Sequence, residues 1–228
     1  MGMQKKKNRT KQVFSLAALL LMLITVFSCF SAAAASESEE QSNGTGKKYI
    51  IAMDTTFAPF EFEDSQGNRV GIDVELLEAI AKDQGFEYEA RAIGFDAALQ
   101  AVESGQADGI LAGCSITEER QKKMDFSTPY FDSGISMAVS KENDSIQSYE
   151  DLRGKKVAVK VGTEGATLAN KLSEQYGFSV VTFDDSANMY EDVKLGNTVA
   201  CFEDYPVMAY NIQQGAALVI PDGMLGAG

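Results

Sequence analysis

Glu103–Gly113 reads ESGQADGILAG and Lys194–Asp204 reads KLGNTVACFED: each is the end of a helical pattern, a glycine turn and a short apolar strand. A unit that occurs twice at this spacing points to two lobes of similar build. Around the first copy, Tyr49–Met53 (YIIAM) is predicted as a buried strand, followed by a loop carrying Phe57, Phe60 and Phe62. Asp73 is expected to cap a helix with Val74, Leu77, Ile80 and Ala81 on one face, stopped at Gly85. A strand at Phe86–Ala92, a helix at Asp96–Ser104 and a strand at Gly109–Ala112 complete a β-α-β-α-β pattern. Around the second copy the pattern starts again. Lys155–Lys160 (KKVAVK) is a strand, Gly162–Gly165 a tight loop, Ala166–Tyr176 a helix and Ser179–Phe183 a strand. Asn188–Leu195 is a helix, Val199–Phe202 a strand and Tyr205–Gln214 a helix. The strand-like run Gly134–Ser140 joins the two lobes. The fold class is therefore α/β, with each lobe an open, mainly parallel sheet covered by helices on both faces.

Residues 1–35 lie outside this pattern. Lys5, Lys6, Lys7, Arg9 and Lys11 form a basic head, Val13–Phe30 is an almost uncharged apolar run, and Ala33–Ala35 offers a small-residue cleavage site. That is the order of an export signal. Cys29 partly matches a bacterial lipid-attachment site, so anchored and freely secreted forms both stay open. Residues 36–47 (SESEEQSNGTGK) read as a flexible linker, residues 48–136 as lobe 1, and residues 137–228 as hinge and lobe 2. Removing the five cations of the signal takes the formal charge from −13 to −18, which disfavours nucleic acid and anionic membrane as partners. The chain has no histidine, which excludes histidine-based triads and H-E-x-x-H zinc sites together. Beyond Cys29 it has only Cys114 and Cys201, and two thiols do not make a disulfide framework. No metal or cofactor is expected.

Ligands of open parallel sheets bind outside the carboxyl ends of the strands. Those positions hold Asp54, Phe57, Gly113, Cys114, Ser115 and Arg120 in the first lobe, and Lys160, Gly162, Thr163, Glu203 and Asp204 in the second. Such a set suits a small zwitterion: Arg120 can hold a carboxylate, Asp54 and Asp204 can accept from an ammonium, and Phe57 and Phe95 can sandwich a side chain. Arg120 is the sharpest of these. With Thr117 as N-cap it would stand at N3 of a helix, where a cation opposes the local dipole unless an anion completes the arrangement. Each choice also has a structural alternative. Asp204 could be the N-cap of the helix that begins Tyr205-Pro206, Phe57 and Phe95 core residues, and Lys160 a strand-end charge.

The stretches MDTTFAPFEF, GIDVELLEAIA, SGQADGILAGCSITEER, MDFSTPY, DLRGKKVAVKVGTEG and FEDYP run in this order from Tyr49 to about Ile220. Together they resemble the periplasmic-type (type II) amino-acid-binding proteins of bacterial ABC importers, the glutamine-binding kind above all. The resemblance implies a two-lobed fold and an extracytoplasmic, monomeric protein that binds an amino acid, glutamine first, without catalysis. It also implies delivery to a membrane permease driven by a separate ATPase, and the chain holds no G-x-x-x-x-G-K-[ST] of its own. In this pattern Arg120 holds the ligand carboxylate beside Gly113 and Ser115, and Asp204 takes the ammonium. Asp54, Phe57 and Phe95 form the first-lobe wall, and Lys160, Gly162 and Thr163 the second-lobe lip. Glu203 replaces a histidine of the glutamine-binding pattern, which would favour a cationic side chain if it pointed into the cleft. The chain stops at PDGMLGAG where such proteins return to lobe 1, so a truncated chain of marginal stability is expected. Two other readings stand beside this one: a cyclohexadienyl dehydratase-like enzyme on the same fold, with Glu203 as its acid, and a ligand-sensing receptor domain.

Overall fold

Two sheet systems organise the chain, and the computed structural model describes residues 46–223 of it. The expected export signal, Cys29, most of the expected linker and the last five residues fall outside the described residues. The first lobe opens with β1 (Lys48–Met53), then β2 (Thr56–Phe57), β3 (Glu61–Glu63) and β4 (Arg69–Val70), followed by α1 (Ile72–Gln84), β5 (Glu87–Ala92), α2 (Phe95–Glu103) and β6 (Gly109–Ile110). β1 lies between β5 and β6 and is parallel to both. β2, β3 and β4 form a separate antiparallel sheet. The sequence pattern gave no sign of it, because strands of two and three residues carry too few positions to show alternation. Helix α2 packs on β1 and β6, and α1 on β3 and β4.

The second lobe contains β7 (Ile135–Ser140), β8 (Lys156–Lys160), α3 (Glu164–Tyr176), β9 (Ser179–Phe183), α4 (Ser186–Lys194), β10 (Ala200–Asp204), α5 (Tyr205–Gln213) and β11 (Leu218–Val219). Its sheet has the order β11-β7-β10-β8-β9. β10, β8 and β9 are parallel, while β7 runs against both of its neighbours. The run expected to join the lobes is thus a strand of the second sheet, and the chain has already crossed before Ile135. Along the central strands, apolar residues alternate by size. Met137, Val139, Val157, Val159 and Phe202 face Ala166 and Ala169 of α3. Ala138, Ala158 and Cys201 face Met189 and Val193 of α4, Met208 of α5, and Leu218. The period of two is that of a strand buried on both faces. Lobe 1 has a smaller core, with Ala52, Ala98 and Ala107 in one cluster and Phe95, Leu99 and Ala112 in another. Phe57 and Phe60 of the first lobe pack with Val207 of the second.

Three local expectations are corrected. Asp73 does not cap α1: the helix starts after Gly71 with no side-chain cap, and Asp73 lies inside its first turn on the buried stripe Asp73, Leu77, Ala81. Ile80, placed by its apolar character on the core face, is 43% exposed, one position off that stripe. Arg120 begins a single 3-10 turn, Arg120–Lys122, and not an α-helix. Thr117 is not its N-cap, which is Glu119, although the Thr117 Oγ1 accepts from the Arg120 N–H at 3.2 Å. QKKMD beyond it offers no apolar stripe to bury, so the turn does not propagate.

Candidate functional site

The carboxyl ends of β1, β6, β8 and β10 converge on one small pocket between the two sheet systems. Its wall contains eight of the ten expected ligand-binding residues: Phe57, Phe95, Gly113, Ser115, Arg120, Lys160, Thr163 and Asp204. Ala112 and Glu164 join them. Asp54 and Gly162 stand directly behind the wall, the first bound to Lys160 and the second to Arg120.

Arg120 is 8% exposed. Its Nη1 donates to the Ser115 carbonyl at 2.9 Å and lies 3.6 Å from Cys114 Sγ, and its Nη2 donates to the Gly162 carbonyl at 2.9 Å. The guanidinium carbon sits 5.3 Å from the centre of the Phe95 ring. A three-residue turn has little dipole for the cation to oppose, so the electrostatic conflict inferred from the sequence is absent. Neutral carbonyl oxygens and an aromatic face fix the side chain in place. Beside it, burial raises the Cys114 thiol above its ordinary value, against the lowering pull of Arg120.

Lys160 and Asp54 form an ion pair of 2.6 Å in which both side chains are almost wholly removed from solvent. The lysine Nζ lies 4.6 Å from the centre of the Phe57 ring. Burial alone would lower the pKa of this ammonium, but Glu203 and Asp54 together raise it. Glu61, also fully buried, accepts no hydrogen bond from the described residues. Burial first, then Asp73 and Asp54, pushes its carboxyl up to about 11. Glu61 is therefore neutral at physiological pH, the form that can donate to Asp73 beside it. Asp73 accepts from the Gly113 N–H at 2.8 Å and the Tyr130 hydroxyl at 2.9 Å. That network anchors the cavity wall to the segment in which the chain leaves lobe 1. Gly113 could carry no side chain: it adopts φ +49, and a Cβ there would stand 2.4 Å from Phe57 Cε1. The ring of Phe57 can cover the floor because that atom is missing.

The structure separates the two adjacent acids of β10. Asp204 lines the cavity without capping α5, and its Oδ1 accepts from the Ser133 hydroxyl at 2.9 Å. Burial, then Glu203, pushes its carboxyl up to about 7. Glu203 points away and is not part of the wall. It accepts from the Ser186 hydroxyl at 2.8 Å, the Tyr190 hydroxyl at 3.0 Å and the Asp204 N–H at 3.1 Å. Strand alternation was enough to foresee this, since neighbours on a strand face opposite ways. Thr163 is the N-cap of α3, its hydroxyl accepting from Ala166 N–H at 3.1 Å and donating to the Lys160 carbonyl at 2.8 Å. That cap starts α3 at Glu164, two residues earlier than expected, and so brings the Glu164 side chain to the cavity. Reading Gly162–Gly165 as a loop hid it.

Comparison with known proteins agrees with this architecture. The family described as bacterial extracellular solute-binding proteins, family 3, matches residues 49–216. The arginine-binding extracellular protein ArtP of Bacillus subtilis (strain 168) is 34% identical over 206 residues, 89% of this chain and 80% of ArtP. An ancestral arginine-binding protein bound to arginine superposes with a TM-score of 0.74 at 38% identity, covering 79% of this chain and 80% of that one. An ancestral arginine-binding protein bound to glutamine superposes with a TM-score of 0.72 at 38% identity, over the same shares.

Proposed function

Because the chain belongs to the bacterial extracellular solute-binding proteins of family 3, we propose that it is the capture subunit of an amino-acid ABC importer. In this reading it works as a monomer outside the cytoplasmic membrane. It takes an L-amino acid with a cationic side chain, L-arginine first, and presents it to a permease powered by a separate ATPase. The observation that carries the reading is the charge set of the cavity: Arg120 and Lys160 stand with Asp204 and Glu164, and Asp54 is bound to Lys160. Arg120 suits the ligand carboxylate, Asp204 the ammonium, and the Phe57 and Phe95 rings the stem of the side chain. The preference for a cationic side chain rests on the relatives, an arginine-binding extracellular protein and an ancestral arginine-binding protein bound to arginine. Contacts from both lobes then favour the closed arrangement, and differential affinity drives the shift.

L-Glutamine is the second reading. It was the expectation from the sequence, and it is favoured by the ancestral arginine-binding protein solved with glutamine. A cleft enzyme would depend on Glu203, which is turned away and accepts three hydrogen bonds, so binding rather than turnover is proposed. A thermal-shift screen of the purified protein against the common L-amino acids, prephenate and arogenate tests this. L-Arginine is expected to raise the melting temperature most and glutamine less. No rise with any amino acid, or turnover of prephenate or arogenate, overturns the reading.

The affinity should also depend on pH. Asp204 must be ionised to accept the ligand ammonium, and its carboxyl is pushed up to about 7. Raising the pH through that value therefore strengthens binding, and lowering it weakens binding by up to about tenfold per pH unit. Titration calorimetry at several pH values checks this, and Asp204→Asn should flatten the profile. A flat profile in the unaltered protein would dissociate Asp204 from ligand binding.

A further inference from the structure

Glu164 has a contact that its place in the fold does not require. As the first residue of α3, with Thr163 supplying the cap, it is already favoured by the helix N-terminus whichever way its side chain points. Yet its Oε1 lies 3.6 Å from Arg120 Nη2. Among the described residues it is the one carboxylate within ion-pair distance of that guanidinium. The contact crosses from the second lobe to the first, beside the bond from the same Nη2 to the Gly162 carbonyl. The two side chains differ in freedom. Arg120 is pinned by carbonyl oxygens from both lobes, with its side chain 10% exposed, whereas that of Glu164 is 31% exposed and makes no hydrogen bond among the described residues. Both line the same cavity. A carboxylate arriving at Arg120 from the cavity meets a guanidinium that already has a carboxylate for company, and that one can swing out to solvent.

We propose that Glu164 is an internal counter-ion which the ligand carboxylate must displace from Arg120, making it an affinity-setting residue for capture. The proposal rests on the reading of Arg120 as the partner of the ligand carboxylate. Displacement means that part of the attraction gained by the ligand is already satisfied within the protein, so capture is weaker and release easier. It also favours solutes whose carboxylate reaches the guanidinium squarely, because a poorly aimed one does not outcompete the tethered one.

Titration calorimetry with L-arginine, on the whole protein and on Glu164→Gln and Glu164→Asp, tests it. Gln keeps the length and removes the charge. Asp keeps the charge, but its chain is one methylene shorter and falls back from Nη2. Both variants should bind L-arginine about two- to fivefold more tightly than the unaltered protein, the scale of a partly exposed ion pair. Their melting temperatures without ligand should stay close to the original. If only Glu164→Gln tightens, the effect belongs to the general field of the pocket and the displacement idea falls. Unchanged or weaker binding in both variants overturns it as well, while the functional reading survives. Failure of the unaltered protein to bind any amino acid overturns the functional reading and this proposal with it.

Discussion

Replacing Lys160 by methionine is expected to cost about 3–5 kcal/mol of stability, the cost of leaving a buried charge without its partner. Asp54 is 0% exposed and its carboxylate has Lys160 Nζ at 2.6 Å. Glu61, Asp73 and Glu203 are buried nearby, so removal of this ammonium takes away the cation paired with the Asp54 carboxylate in a group of buried acids. Methionine keeps the length of the stem over the Phe57 ring, so the loss reports charge rather than packing. In denaturant unfolding the midpoint should fall while the slope stays the same. The double variant Lys160→Met with Asp54→Asn should regain much of the loss, since neither charge is then left alone. A loss below about 1 kcal/mol in the single variant would mean that the pair contributes little.

Arg120→Ala is expected to weaken amino-acid binding by roughly a hundredfold or more, the scale for truncating one member of a buried charged pair. Arg120→Lys should not restore it. The ammonium lacks the planar fork that reaches the Ser115 and Gly162 carbonyls while still facing a carboxylate. Calorimetry on both variants decides the point. Binding within tenfold of the original in Arg120→Ala would remove Arg120 from the ligand contact. The variant should also lose some stability without ligand, because its bond to Gly162 ties one lobe to the other.

The sequence was most informative where chemistry and strand direction coincide. Ligand-type residues at the carboxyl ends of β1, β6, β8 and β10 had to come together once the sheets were parallel, and most of the expected set lines one cavity. What stayed hidden depends on partners far along the chain. Asp73 looked like a helix cap because capping is a local signal, whereas the Gly113 N–H and the Tyr130 hydroxyl that hold it lie 40 and 57 positions away. Glu61 lies in a stretch that was read only for its aromatic residues, and burial against Asp73 and Asp54 is what makes it a neutral group. Arg120 was singled out through a helix that does not form. The residue type was informative because a guanidinium at a strand end suits a carboxylate, whatever the turn that carries it.

The size alternation across the second sheet also governs which substitutions that lobe can accept. On the side of Ala138, Ala158 and Cys201, three small residues admit the bulkier Met189, Val193 and Met208 of the covering helices. On the opposite side, Val157, Val159 and Met137 meet Ala166 and Ala169. On the first face the bulk comes from the helices, whereas on the other the strands supply much of it, with Leu168, Leu172 and Tyr176 of α3 packed around the two alanines. A drift toward larger residues in the strands is therefore blocked where Ala138 and Ala158 stand. On the other face, exchange among valine, isoleucine and methionine is open as long as α3 keeps its alanines. Divergence within this lobe should thus run as paired exchanges between a strand and its own helix, while the strand ends that carry Lys160 and Asp204 stay in register.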